Sequence, residues 1–167
     1  MRALGIDPGS SMTGFGVVEQ TATGYRHIDS GVVRTRAAQL LPERLATIYA
    51  GILRIIDETR PDEVAIEEVF VARNSRAALV LGQARGVVIL AAAQSGLVVA
   101  GYAPRQMKQA LVGYGDADKT QVGEMVRRLL NLPGVPHPAD VGDALALALC
   151  HLHHAAAHRR LREAVAQ

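Results

Sequence analysis

The alternation of large and very small residues in the stretch Arg2-Ala3-Leu4-Gly5-Ile6-Asp7-Pro8-Gly9 constrains the fold more than any other feature. Read as a strand, it turns Leu4 and Ile6 to one face and Ala3, Gly5 and Asp7 to the other. A carboxylate therefore ends a face otherwise occupied by the smallest residues, and some other element must approach that face closely. Pro8-Gly9 stops the strand with a fixed φ followed by a permissive one. Taken alone, Asp7 could equally open an Asx-type turn. Its meaning depends on the acids further along the chain.

With 167 residues the chain is long enough for one domain that buries roughly two-thirds of its unfolded surface. That domain is expected over residues 1–156, with a basic, frayed tail over 157–167. Cys150 is the one cysteine, so neither a disulfide framework nor a cysteine zinc site is available. The N-terminus lacks a charged segment followed by an apolar run, and the most hydrophobic uninterrupted stretch, Val87 to Ala93, is too short to span a bilayer. A cytoplasmic protein with no membrane partner is the expectation. Net charge is only +2, but it is unevenly spread. Residues 1–68 carry 7 basic and 10 acidic side chains, 69–128 carry 8 and 3, and 129–167 carry 3 and 3. A middle segment at +5 is one footprint of polyanion binding, and also compatible with an ordinary solvated surface.

Thr13 to Glu19 and Tyr25 to Thr35 read as two further strands. Their short connections predict an antiparallel meander with the first, since a parallel return needs a crossover of about a dozen residues. Pro42 opens a helix to about Thr59, with Leu41, Leu45, Ile48, Ile52, Ile55 and Ile56 at helical spacing, closed by Pro61. Val64 to Phe70 reads as a fourth strand, parallel to the first because a helix intervenes. Alternation places Ala65, Glu67 and Val69 on one face and Val64, Ile66 and Glu68 on the other. Ala65 matches the small-residue face of the first strand, which assigns Glu67, rather than Glu68, to the side of Asp7.

Ser75 is the expected N-cap of a long helix to about Gln94. Gly82 and Gly86 lie at i, i+4 on it, each costing about 1 kcal/mol relative to Ala, which implies close backbone approach either to the sheet or to a second copy of the helix. Leu97 to Tyr102 is a fifth strand, Pro104 to Val112 a short helix exposing Arg105 and Lys108, and Lys119 to about Leu130 another. Pro133, Pro136 and Pro138 lead into a last, largely apolar helix whose first turn carries Asp140 and Asp143 on one face. Its C-terminal part carries His151, His154 and His158, a spacing that can bind zinc and that equally suits a solvated, weakly basic helix end.

Asp7 and Glu67 are thus expected at the ends of adjacent parallel strands, with Asp140 and Asp143 on the helix packed over them. Four neighbouring carboxylates raise one another's pKa values and need compensation by cations. Oxygen-only donors select hard ions such as Mg²⁺ or Mn²⁺. Two such ions about 4 Å apart suit hydrolysis of a phosphodiester.

The blocks Gly5-Ile6-Asp7-Pro8-Gly9, Ala65-Ile66-Glu67-Glu68-Val69-Phe70, Leu81-Gly82-Gln83-Ala84-Arg85-Gly86, Arg105-Gln106-Met107-Lys108-Gln109 and Ala139-Asp140-Val141-Gly142-Asp143-Ala144 resemble, in order and spacing over about residues 1–155, those of the RuvC Holliday-junction resolvases. The resemblance implies an α/β, RNase H-like fold with a five-stranded mixed sheet, three antiparallel strands followed by two parallel ones, flanked by helices. It implies a homodimer, two Mg²⁺ or Mn²⁺ ions per active site, paired symmetric nicks across a four-way DNA junction, and partnership with RuvA and RuvB. Asp7, Glu67, Asp140 and Asp143 match the family's catalytic acids and metal ligands. Lys108 and Lys119, the two lysines of the chain, match basic residues near the scissile strand, and Phe70 an aromatic set against bases. Arg73, Asn74 and Arg76 follow as candidate DNA contacts. His137, one turn before Asp140, is a possible metal or proton-transfer group or simply part of the proline linker. An ATPase or sugar-kinase-like phosphotransfer lobe would share the opening strand but leave Asp140 and Asp143 unexplained, and a non-catalytic DNA-binding dimer would leave all four acids so.

Overall fold

The structure, a computed structural model, describes residues 1–68 and 75–165, with side chains described to Ala155. Ten elements follow in order: β1 (Arg2–Asp7), β2 (Met12–Gln20), β3 (Tyr25–Arg34), α1 (Leu41–Thr59), β4 (Glu63–Glu67), α2 (Ser75–Gln94), β5 (Val98–Tyr102), α3 (Pro104–Val112), α4 (Lys119–Leu129) and α5 (Ala139–Val165). The sheet order is β3-β2-β1-β4-β5, with β1–β3 antiparallel and β4 and β5 parallel to β1. The mixed five-stranded sheet expected from the connection lengths is the one found.

Local chemistry sets the element ends. Pro42 lies in the first turn of α1, Glu43 Oε2 accepts from the Leu40 amide at 2.9 Å, and the helix closes with Arg60 in the left-handed region (φ 47°) before Pro61. Asp118 caps α4, its carboxylate accepting from the Gln121 amide at 2.9 Å while the Gln121 side chain accepts from the Asp118 amide at 2.9 Å, a reciprocal capping box.

Strand parity sorts the core into two layers. Leu4, Ile6, Phe15, Val17, Val64 and Ile66 meet Ile48, Ile52, Ile55 and Ile56 of α1 and Ala84, Val88, Ala91 and Ala92 of α2. Ala3, Val18 and Ala65 meet α5 together with Met107, Leu111, Val122 and Val126 of α3 and α4. The second layer is unusually tight. A Cβ on Gly5 would lie 1.9 Å from the Ala144 carbonyl oxygen, and one on Gly14 would lie 2.2 Å from that of Asp140. The small-residue face therefore admits the backbone of α5 itself.

Several expectations are corrected. β4 ends at Glu67, short of the Val64-to-Phe70 reading; Val69 and Phe70 lie outside the described residues. The close approach of Gly82 and Gly86 to the sheet does not occur: both are exposed, with nothing within 4 Å of a Cβ built there. Lys108 is half-buried rather than exposed. Length and composition would let α2 cross a membrane, because its apolar average stays high although Gln83 and Arg85 break the uninterrupted run. Helix α5 runs to Val165, so the segment expected as a basic tail from 157 begins within it; the tail itself stays an expectation.

His151 is not a solvated helix end either. It is 5% exposed, with Nδ1 2.8 Å from the Tyr102 hydroxyl and Nε2 2.9 Å from Glu63 Oε2, while His154 stacks on Tyr102. The imidazole joins α5 to the start of β4 and the end of β5.

Because the three nearest atoms to a Gly5 Cβ, the Ala144 carbonyl oxygen and carbon and the Ala148 nitrogen, are backbone atoms that cannot rotate away, Gly5→Ala is expected to lower stability by about 3 kcal/mol, the upper part of the overpacking range. Urea unfolding followed by circular dichroism measures it.

Candidate metal and nucleic-acid site

Asp7 and Glu67 leave the C-terminal ends of the central parallel strands, β1 and β4, on one face: Gly5 pairs with Ala65 and Ile6 with Ile66, so Asp7 and Glu67 are next in register. The turn after Asp7 is fixed by Thr13, fully buried, whose hydroxyl donates to the Gly9 carbonyl at 2.8 Å. Asp7 also stands opposite Gly14 on β2. That glycine is where the main chain of Asp140 comes closest to the sheet, so the first turn of α5 is brought over Asp7. Asp143 follows one turn later on the same helical face.

The four acids form one electrostatic unit. The Asp7 carboxyl is pushed up to about 7, first by burial and then by Glu67, Asp143 and Asp140, with Lys119 opposing. Glu67 is raised as well, by burial and then by Asp143, again opposed by Lys119. Lys119, placed by the Asp118 cap at the start of α4, sets its ammonium 2.9 Å from Asp143 Oδ2. That hydrogen bond and the Asp143 charge hold the lysine above its ordinary pKa, with smaller contributions from Asp7 and Glu67. Among the described residues, no three His, Cys, Asp or Glu side chains are gathered closely enough to hold a metal ion as they stand. An all-oxygen donor set in which burial and then neighbouring carboxylates disfavour ionisation of Asp7 and Glu67 fits a hard divalent cation, whose charge would offset both.

The remaining predicted site residues are more scattered. His137 is exposed and lines, with Lys119, Thr120, Val135, Pro136 and Asp143, an open cavity of about 240 Å³ beside the acids. Arg76, in the first turn of α2, borders a second hollow with Ser10 just past the Pro8-Gly9 turn. Lys108, on α3, is not among the charges that act on Asp7 or Glu67. Phe70, Arg73 and Asn74 lie outside the described residues. Sequence reasoning missed Thr13 and Gly14; the signal for the latter was the Gly14-Phe15-Gly16 alternation, which continues the small-residue face onto β2.

Residues 3–151 match the family described as crossover junction endodeoxyribonuclease RuvC. The crossover junction endodeoxyribonuclease RuvC of Pelotomaculum thermopropionicum is 48% identical over 162 residues, 97% of this chain and 99% of the relative. The structure of Thermus thermophilus RuvC superposes with a TM-score of 0.88 at 39% identity, covering 95% of this chain and 97% of that one. T. thermophilus RuvC in complex with a Holliday junction substrate gives 0.88 at 41% identity, covering 93% and 94%.

Asp7 retains its proton to about pH 7 when folded and loses it near pH 3.8 when unfolded, so between those values the folded state binds more protons and stability falls as pH rises. In the metal-free protein at pH 8, Asp7→Asn should therefore be more stable than the parent by about 1–3 kcal/mol, the gain vanishing below pH 4. Urea titrations in chelator across pH 4–8 measure the trend.

Proposed function

The chain belongs to the RuvC family of crossover junction endodeoxyribonucleases, and from that membership we propose a site-by-site account of how it acts. It is a Holliday-junction resolvase, a divalent-metal-dependent nuclease that hydrolyses phosphodiester bonds of DNA. That membership sets aside the phosphotransfer and non-catalytic alternatives. Asp7, Glu67, Asp140 and Asp143 are the catalytic acids, and the observation that carries this reading is the common field through which Glu67, Asp143 and Asp140 act on Asp7.

The four carboxylates would hold two Mg²⁺ or Mn²⁺ ions. Such ions, when bound, polarise the scissile phosphate and lower the pKa of the attacking water. The chain's own residues do the rest. Asp7 and Glu67, anchored at strand ends, fix one side of the site against the rigid sheet. Asp140 and Asp143 fix the other from α5. Lys119, already held among these carboxylates, supplies a point charge to the phosphate that enters. Arg76, Lys108 and, outside the described residues, Phe70, Arg73 and Asn74 are assigned to the DNA on either side, with His137 bordering the same approach.

Two paired nicks need two sites, and a homodimer supplies them. The support is α2, where Leu79 (65% exposed), Gly82, Gly86 and Leu90 (50% exposed) form one outward stripe whose glycines would let a second copy of the helix come close. The same reading includes action in the cytoplasm, where the DNA is, and hand-over of the junction from RuvA and RuvB.

With Mg²⁺, the protein should nick a synthetic four-way junction symmetrically, and Asp7→Asn should slow nicking by about 100-fold or more while junction binding in Ca²⁺ persists. Retained cleavage in Asp7→Asn would remove the acid from the mechanism. Gly82→Arg should yield a folded monomer in sedimentation velocity, whereas an unchanged dimer would move the interface elsewhere.

A further inference from the structure

The sheet leaves one main-chain acceptor beside the site without its ladder donor. The Glu68 amide donates to the Tyr102 carbonyl at 2.9 Å, so Glu68 turns its main chain towards β5 and, by alternation, Glu67 turns its own towards β1. There the parallel register, with Ile6 opposite Ile66, calls for the amide of residue 8 to donate to the Glu67 carbonyl. Residue 8 is Pro and has no amide hydrogen. The missing donor comes from the other face of the sheet: Arg85 of α2 donates from Nε to the Glu67 carbonyl oxygen at 3.1 Å, half-buried.

We propose that Arg85 is a positioning residue for the nuclease reaction, fixing the end of β4, and through it the Glu67 carboxylate, by replacing the donor that Pro8 cannot provide. The inference rests on the reading of Glu67 as a catalytic acid. Arg85 acts by hydrogen bond and not by charge. The raised pKa of Glu67 traces to burial and then to Asp143, with Lys119 opposing and Arg85 absent from its causes. A partly buried carbonyl left without a partner would pull the strand end towards water, and misplacement on the order of 1 Å at a reacting group can cost about 100-fold in rate.

Side-chain length makes a sharp test, because the Gln Nε2 and the Met Cε stand as many bonds from Cα as the Arg Nε. Arg85→Gln keeps a neutral donor at that place and Arg85→Met removes it. Single-turnover junction cleavage should fall by about 10- to 100-fold in Arg85→Met and stay within about threefold of the parent in Arg85→Gln. Junction affinity in Ca²⁺ should be unchanged in both. The rise in melting temperature on adding Mn²⁺ should shrink in Arg85→Met only, a readout independent of cleavage. Loss of junction affinity in both variants would show a phosphate contact instead and overturn the proposal, as would equal loss of cleavage in both or full activity in Arg85→Met. Should Arg85→Met fail to fold, the Arg85→Gln result still decides, since a charge role predicts loss there. Glu67→Gln run in parallel separates the two readings: if it cleaves normally, the assignment of Glu67 is at fault; if it is inactive while Arg85→Met cleaves normally, only the role of Arg85 is refuted.

Discussion

The approach of the α5 backbone to the central strands is the contact on which the rest of the molecule depends. Helices ordinarily rest on a sheet through side chains, at a separation set by Leu, Ile and Val. Here Gly5 and Gly14 remove the side chains from the sheet, and Ala144 and Ala148 keep those of the helix to a methyl group, so backbone meets backbone, while Gly16 makes room for the Leu145 side chain. Interiors pack near crystal density and relax little around added atoms, so a contact of this kind admits few alternatives in register or tilt. That rigidity is what a site of four acids needs. Asp140 and Asp143 stand at the end of α5 nearest Asp7 because Gly14, opposite Asp7 in the ladder, lets the helix come down at that point.

Bringing the acids together works against folding. An Asp7 carboxyl pushed up to about 7 means that near neutral pH this group resists ionising where it sits, and burial is the largest reason. A natural protein tolerates such local conflict where it is useful and offsets it elsewhere. The offset is visible on both sides of the cluster. Lys119 answers Asp143 directly from a helix start that the Asp118 capping box holds in place, and the apolar layers above and below the sheet carry no comparable conflict. Lys119 is three-quarters exposed, so its ion pair contributes little stability in water; its value lies in position. A cation kept beside carboxylates is already where a phosphate must come.

How much of this could be read beforehand follows from the range of the physics involved. Period-two alternation is local, and it separated Glu67 from Glu68 and assigned the small face of β1 without any knowledge of partners. Helix signals were local too: Pro104 and Gly113 bound α3 where the sequence placed it, and Pro42 and Pro61 did nearly the same for α1. What escaped was set at a distance. His151 looked like part of a solvated helix end because its partners Tyr102 and Glu63 lie 49 and 88 residues away along the chain. The glycines of α2 announced a close approach but not its partner, and the sheet, one of the two candidates, does not come near them. β4 stopped early because β5 ends at Tyr102 and β1 is followed by a proline, neither of which is written in the sequence of β4.

The two faces of the sheet constrain the acids in different ways, and the difference bears on where the site can adapt. From one face α5 acts through a broad backbone contact in which no single atom can yield alone. From the other, α2 reaches the end of β4 through Arg85 and one hydrogen bond to the Glu67 carbonyl. On its β1 side the end of β4 has that side-chain bond in place of a ladder bond, while on its β5 side the Glu68 amide still donates to the Tyr102 carbonyl. The same helix carries the exposed stripe at Gly82 and Gly86 on its outer side. Whatever seats against that stripe bears on the helix that steadies Glu67, whereas Asp140 and Asp143 are placed from the opposite face by α5, with Lys119 of α4 paired to Asp143.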